Sequence, residues 1–277
     1  MTRRPAILMV AMMFTLTLAN VDFARADDEV IIHRNIAYID DGDARHEADI
    51  YVPPGEGPFP GVLMIHGGAW MTGSKTHMLG HARTVVDAGY TVMSINYRLA
   101  PKHKFPAQVD DCKAAVRFMR DNAEDYKIKK KKIATYGYSA GGHLACLLGM
   151  TDVDDGLEGS DVAEEATDTR VQCVIAGGAP CEFRTMPKRV SALAYWLGGT
   201  REKVPDNYRL ASPTTFATAD DPPVFFFHGE NDTLVPQISP KALKTALEAH
   251  DVKCQFHEVP GKGHIGAFLD RDSPKEA

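Results

Sequence analysis

A chain of 277 residues that is 44% hydrophobic and 25% charged has the make-up of a globular protein with a substantial core. Its formal net charge of -6 leaves no electrostatic footprint for nucleic-acid binding. The five cysteines follow no zinc-ligand spacing, and nothing in the sequence calls for a metal or a cofactor.

In chain order, the first segment reads as a targeting sequence. Arg3 and Arg4 precede the apolar run Ala6 to Ala19, and Ala24-Arg25-Ala26 supplies a small-x-small cleavage site. The run is shorter than the roughly 20 residues that span a bilayer. The expectation is a signal peptide over 1–26 and a catalytic domain over 27–277. The product would be periplasmic or secreted, without stable membrane association after cleavage.

Ile31 to Ile39 and Ala48 to Val52 read as opening strands, and Gly61 to Ile65 as a buried one that runs into His66-Gly67-Gly68-Ala69-Trp70. A helical stretch around His77 to Ala88 and the strand Tyr90 to Asn96 follow. Pro106 opens a helix with Val109, Cys112, Val116 and Met119 on one face. The basic run Lys127 to Lys132 reads as a solvated loop before the strand Ile133 to Tyr138, and a helix from His143 to Met150 leads on. Asp152 to Asp168 is an acidic surface loop. Val171 to Ala176 is a strand, Cys181 to Asp221 is irregular and partly helical, and Val224 to Phe227 is a strand. A helix covers Pro240 to His250, the last strand is Cys254 to Val259, and a short helix begins near Ile265. Strands alternating with helices imply a mostly parallel sheet with helices on both faces.

The chemistry gathers at strand ends, where open sheets of this kind bind ligands. Gly137-Tyr138-Ser139-Ala140-Gly141 is a G-x-S-x-G motif between a strand and a helix, the context of a nucleophile elbow. The turn holds its serine at positive φ and crowds the residues two before and two after, which are glycines here. A serine hydroxyl needs a base to take its proton. Of eleven histidines, His264 is the candidate, in the flexible Gly261-Lys262-Gly263-His264 loop after the last strand. His66, His143 and His228 sit in tight turns or a first helical turn and read as structural. Asp232 is the candidate to orient the imidazole, with Glu230 a near rival and Asp220 and Asp221 remoter ones. Backbone amides after His66-Gly67-Gly68-Ala69, with that of Ala140, can hold a developing oxyanion. Trp70 and Tyr138 flank these features and are candidates to stack on a substrate ring.

These motifs, with Tyr97-Arg98-Leu99-Ala100-Pro101, Phe105-Pro106-Ala107 and His228-Gly229-x-x-Asp232-x-x-Val235-Pro236, resemble the hormone-sensitive-lipase-like α/β-hydrolases. The resemblance is closest to the bacterial feruloyl and acetyl-xylan esterase-like proteins. It implies the α/β-hydrolase fold and Gly68 and Ala69 as oxyanion donors beside Ala140. It also implies a structural pairing of Arg98 with Asp110 or Asp111. Tyr138 stands where an acidic residue is usual. Too little chain precedes the oxyanion strand for a helical cap, so no large cap domain and an open site are expected. The leading expectation is an exported serine ester hydrolase with triad Ser139, Asp232 and His264. Its substrates would be short-acyl or feruloyl esters, small or attached to polysaccharide. An arylformamidase-like or peptidase-like amidase and a non-catalytic binding protein are the alternatives.

Overall fold

The computed structural model describes residues 29–159, 168–186 and 190–270. The expected signal peptide lies outside these residues, as does the middle of the acidic loop. Eight strands form one sheet: β1 (Ile31–Ala37), β2 (Glu47–Val52), β3 (Phe59–Ile65), β4 (Thr91–Ile95), β5 (Ile128–Tyr138), β6 (Cys173–Gly177), β7 (Val224–Gly229) and β8 (Cys254–Val259). Their order is β1-β2-β4-β3-β5-β6-β7-β8. β1 and β2 pair antiparallel, as do β2 and β4; every other pair is parallel.

Parallel strands need crossovers, and the helices supply them. They are α1 (Leu79–Asp87), α2 (Ala107–Asp121), α3 (Ala140–Met150), α4 (Ser191–Leu197), α5 (Pro205–Leu210), α6 (Ile238–Glu248) and α7 (His264–Leu269). Alternate side chains of each strand point to opposite faces, so each face carries its own core. Leu63 and Ile65 of β3 pack with α2, α3 and α6 residues such as Val116, Leu147 and Leu243. Val62 and Met64 of the same strand pack with Ala82 and Val86 of α1 and Ala267 of α7. The predicted face of α2, Val109, Cys112, Val116 and Met119, is buried as the spacing requires.

β5 departs from expectation by starting at Ile128, so Lys129 to Lys132 lie within it rather than in a loop. Phe59 pairs with Ile128 but Gly61 with Ile133, and the register shift leaves the four lysines exposed. The interruption lets backbone pairing begin early while every ammonium stays in water. The five cysteines are free thiols, and Cys112, Cys146 and Cys181 are buried as small hydrophobes.

Candidate active site

β5, β7 and β8 end on one edge of the sheet, and the candidate residues sit just beyond them. Ser139 joins β5 to α3 with φ 56° and ψ −121°, a strained conformation for a residue with a side chain. The turn is as crowded as the motif demands. A Cβ on Gly137 would lie 2.1 Å from the Gly141 carbonyl oxygen, and one on Gly141 would lie 2.1 Å from that of Ile65. Because Ala140 opens α3, its N–H has no intrahelical acceptor. On the adjoining strand end, Gly68, Ala69 and Trp70 have φ of 120°, 52° and 59°. Among the described residues no backbone carbonyl takes the N–H of Gly68 or Ala69.

Asp232 follows β7 with its carboxylate fully buried. Its Oδ2 accepts from His264 Nδ1 at 2.6 Å, and its Oδ1 accepts from the amides of Leu234 and Val235 at 3.0 and 2.9 Å. His228 Nε2 lies 2.8 Å from the Val235 carbonyl and 3.2 Å from Asp232 Oδ2. A carbonyl only accepts, so Nε2 carries the proton; burial holds the ring neutral by lowering its pKa. Asp232 is thus enclosed by donors that fix its orientation. With Nδ1 engaged, His264 has Nε2 left for a substrate or nucleophile.

Tyr138 braces this histidine from below. Its hydroxyl donates to the His264 carbonyl oxygen at 2.5 Å, and burial raises its pKa so that it stays a donor. Gly178 passes so close that a Cβ there would lie 2.9 Å from the Tyr138 hydroxyl and 3.0 Å from His264 Cε1. A cavity of about 570 Å³ opens over these groups, with Gly68, Ala69, Tyr138, Ser139 and His264 in its wall.

Residues 48–247 match the family model BD-FAE. The chain belongs to the BD-FAE family. Esterase LipC of Mycobacterium tuberculosis is 31% identical over 222 residues, which is 77% of this chain and 54% of that protein. Versiconal hemiacetal acetate esterase stcI of Emericella nidulans is 30% identical over 251 residues, 82% of this chain and 81% of its own. Among solved structures, a truncated form of a carbohydrate esterase from gut microbiota superposes with a TM-score of 0.83 at 30% identity. It covers 91% of this chain and 95% of its own. The fold is that of the α/β-hydrolases, with no large cap seen among the described residues. The chain spans about half the length of the first curated relatives it matches.

Within this BD-FAE fold, the residues singled out in the sequence separate into two groups. Ser139, His264, Gly68, Ala69 and Tyr138 meet at the cavity, with Asp232 behind His264. Glu230 instead accepts from the Gly261 amide at 2.7 Å, which steadies the loop carrying His264. Asp220 pairs with Arg170, and Asp221 accepts from the Thr218 amide. Trp70 does not reach the cavity, so its reading as a substrate-stacking residue is corrected. It is 5% exposed and lies flat on Trp196 of α4, with ring centroids 3.8 Å apart. Its Nε1 donates to His143 Nδ1 at 3.2 Å. His143 Nε2 in turn donates to the Ala211 carbonyl at 2.7 Å, and full burial pulls its pKa down to about 3. Trp70 therefore anchors the positive-φ turn from behind. Of the two acids offered for Arg98, Asp111 is the partner, accepting from the Arg98 amide and guanidinium at 2.7 and 2.8 Å. Sequence reasoning missed the apolar lining, Met71, Leu234, Ile265 and Phe268. They come from two loops and one short helix, without a period to mark them.

Proposed function

We propose that the protein is a serine carboxylic-ester hydrolase working through an acyl-enzyme. Ser139 Oγ attacks the ester carbonyl as His264 Nε2 takes its proton, and Asp232 stabilises the imidazolium through Nδ1–H. The carbonyl oxygen, as it gains charge, is held by the amides of Gly68, Ala69 and Ala140, each worth roughly 2.7–4 kcal/mol in the transition state. His264 then protonates the leaving alcohol, and water attacks the acyl-enzyme by the same route in reverse. The observation that carries this reading is the 2.6 Å bond between His264 and a buried Asp232, with an elbow serine in the wall of the same cavity.

The substrate class rests on the relatives. A carbohydrate esterase at 30% identity favours an ester on a sugar or polysaccharide, with a short or feruloyl acyl group. The sequence at 1–26 favours export, so the reaction would take place in the periplasm or outside the cell, free of membranes. The test is hydrolysis of acetyl, longer-acyl and feruloyl esters, including acetylated xylan, by the wild type and Ser139→Ala, with fluorophosphonate labelling of both. Turnover and labelling that both vanish in Ser139→Ala support the mechanism. Labelling that survives in the variant overturns it.

A further inference from the structure

The cavity holds more than the reacting groups. Met71 on one side and Leu234, Ile265 and Phe268 on the other make its wall largely apolar, and Leu234 and Ile265 are 70% and 65% exposed at its rim. Among the described residues that line it there is no Lys, Arg, Asp or Glu. A cavity of this size and character accepts an uncharged group with an apolar body, and it takes its selectivity from the few polar groups in the wall. Ser139 and His264 are committed to chemistry in the proposed function, on which this inference rests. The Tyr138 hydroxyl is spent on the His264 carbonyl, and the polar side chains left are Thr72 and His77.

Both are unspent. Thr72 uses its amide to donate to the Gly68 carbonyl at 3.0 Å, and His77 uses its own to donate to Ser74, also at 3.0 Å. Among the described residues, neither the Thr72 hydroxyl nor either ring nitrogen of His77 has a hydrogen-bond partner. His77 is nevertheless placed by its neighbours. Its ring meets that of His66 edge-on, with centroids 6.2 Å apart. His66 is itself fully buried, stacked on Tyr97 at 4.2 Å and bound through Nδ1 to the Gly67 carbonyl at 2.7 Å. The imidazole of His77 therefore lies beside the Gly67–Ala69 turn, and both it and Thr72 are exposed, with their side-chain polar atoms open to water until an ester covers them.

We infer that His77, assisted by Thr72, is the specificity-determining group of this cavity and reads a hydroxyl on the apolar group that the ester lodges there. Its ring nitrogen accepts from or donates to that hydroxyl. An analogue lacking the hydroxyl leaves the imidazole facing an apolar surface. The penalty for an unmade hydrogen bond in such a site corresponds to roughly a five- to tenfold loss in kcat/KM.

The test compares two matched pairs of esters. One pair varies the acid: methyl 3-(4-hydroxyphenyl)propanoate against methyl 3-phenylpropanoate. The other varies the alcohol: 4-hydroxyphenethyl acetate against phenethyl acetate. The wild type should favour the hydroxylated member of one pair by about five- to tenfold, mainly through KM, and that pair identifies which half of the ester occupies the cavity. His77→Phe keeps an aromatic ring without its nitrogens and should bring the ratio close to one. Thr72→Val should lower it by less. A second measurement uses the Ser139→Ala protein, with and without His77→Phe, and the free hydroxylated acid and alcohol as calorimetric ligands. There the same preference and its loss should appear without turnover. No preference in either pair, or a preference that survives His77→Phe, overturns the inference. A preference abolished by Thr72→Val alone moves the assignment to Thr72. Absence of turnover with the calorimetric preference intact would count against the proposed function and not against the cavity reading.

Discussion

Asp232 receives hydrogen bonds from two amides and from His264, with His228 close by, so its carboxylate has little freedom to turn. Asp232→Asn should therefore leave the geometry in place but present an amide that favours the wrong imidazole tautomer, at a cost of about 10⁴ in kcat. Glu230→Gln alters only the contact with the Gly261 amide and should keep kcat within a few-fold. Steady-state kinetics of the two variants decide the acid; the opposite ranking would transfer the role to Glu230. Tyr138 is a subtler case, because it touches the main chain of His264 rather than its ring nitrogens. Tyr138→Phe removes one buried donor and keeps the packing against Phe268 and Phe227. A hydrogen bond of this kind contributes on the order of 1 kcal/mol, so kcat should fall about fivefold with KM little changed. A KM effect of that size with kcat intact would instead make the hydroxyl a substrate contact.

At the scale of elements, the turn Gly68–Trp70 is held from behind by a slab of aromatic rings. Trp70 stacks on Trp196, and Phe105, Phe183 and His143 meet the pair edge-on. Trp196 also donates to Gln108 at 2.9 Å, which ties α4 to α2. Trp196→Ala should cost about 3–5 kcal/mol, a typical price for emptying a large buried ring site. Activity should fall as well, because Ala69 and Trp70 lose the surface that keeps them at positive φ. Urea unfolding and kcat measured together test this; a stable variant with full activity would contradict it. The same slab shows what the sequence could and could not reveal. Ser139, Asp232 and His264 were legible because glycine spacing and strand ends are local signals. The burial of Trp70 was not, since its partner Trp196 comes from the irregular stretch between β6 and β7, where no period announces a helix. Lys129 to Lys132 misled for the reverse reason: charge suggested a loop, while pairing on either side of the register shift, Ile128 with Phe59 and Ile133 with Gly61, draws them into β5. The lining of the cavity was not legible either: it is walled by short segments, the turn after Gly68 and Ala69 and α7, whose apolar residues gain meaning only when brought together.

For the molecule as a whole, buried titratable groups set how stability responds to acid, and they act with opposite signs. His66 and His143 are fully buried, and desolvation lowers their pKa to about 4 and about 3. Among the described residues His66 Nε2 has no hydrogen-bond partner, so a proton there would be stranded. Both histidines take up protons only when unfolded as pH falls below about 6.5, so they destabilise the fold by up to about 1.4 kcal/mol per pH unit each. Asp110 and Asp221 do the reverse. Desolvation raises their pKa to about 6, and Asp110 Oδ1 is buried without a hydrogen-bond partner among the described residues. Between about pH 6 and 4 the folded state binds these two protons and the unfolded state does not, which stabilises the fold on acidification. The four groups nearly cancel in that window, and the lowered pKa of His103 and His228 tips the balance to a shallow decline. Below about pH 4 the cancellation ends. Asp41, Glu182 and Asp220, all held low by hydrogen bonds or ion pairs, then lose their stabilisation on protonation. Urea midpoints should therefore change little from pH 6 to about 4 and drop steeply below. Two variants expose the hidden balance. Asp110→Asn should stabilise the protein at pH 7 and steepen its decline between pH 6 and 4. His143→Gln, which keeps a donor and an acceptor, should be less stable at pH 7 but gain stability on acidification relative to the wild type. If both variants run parallel to the wild type across that window, these groups do not govern its acid response.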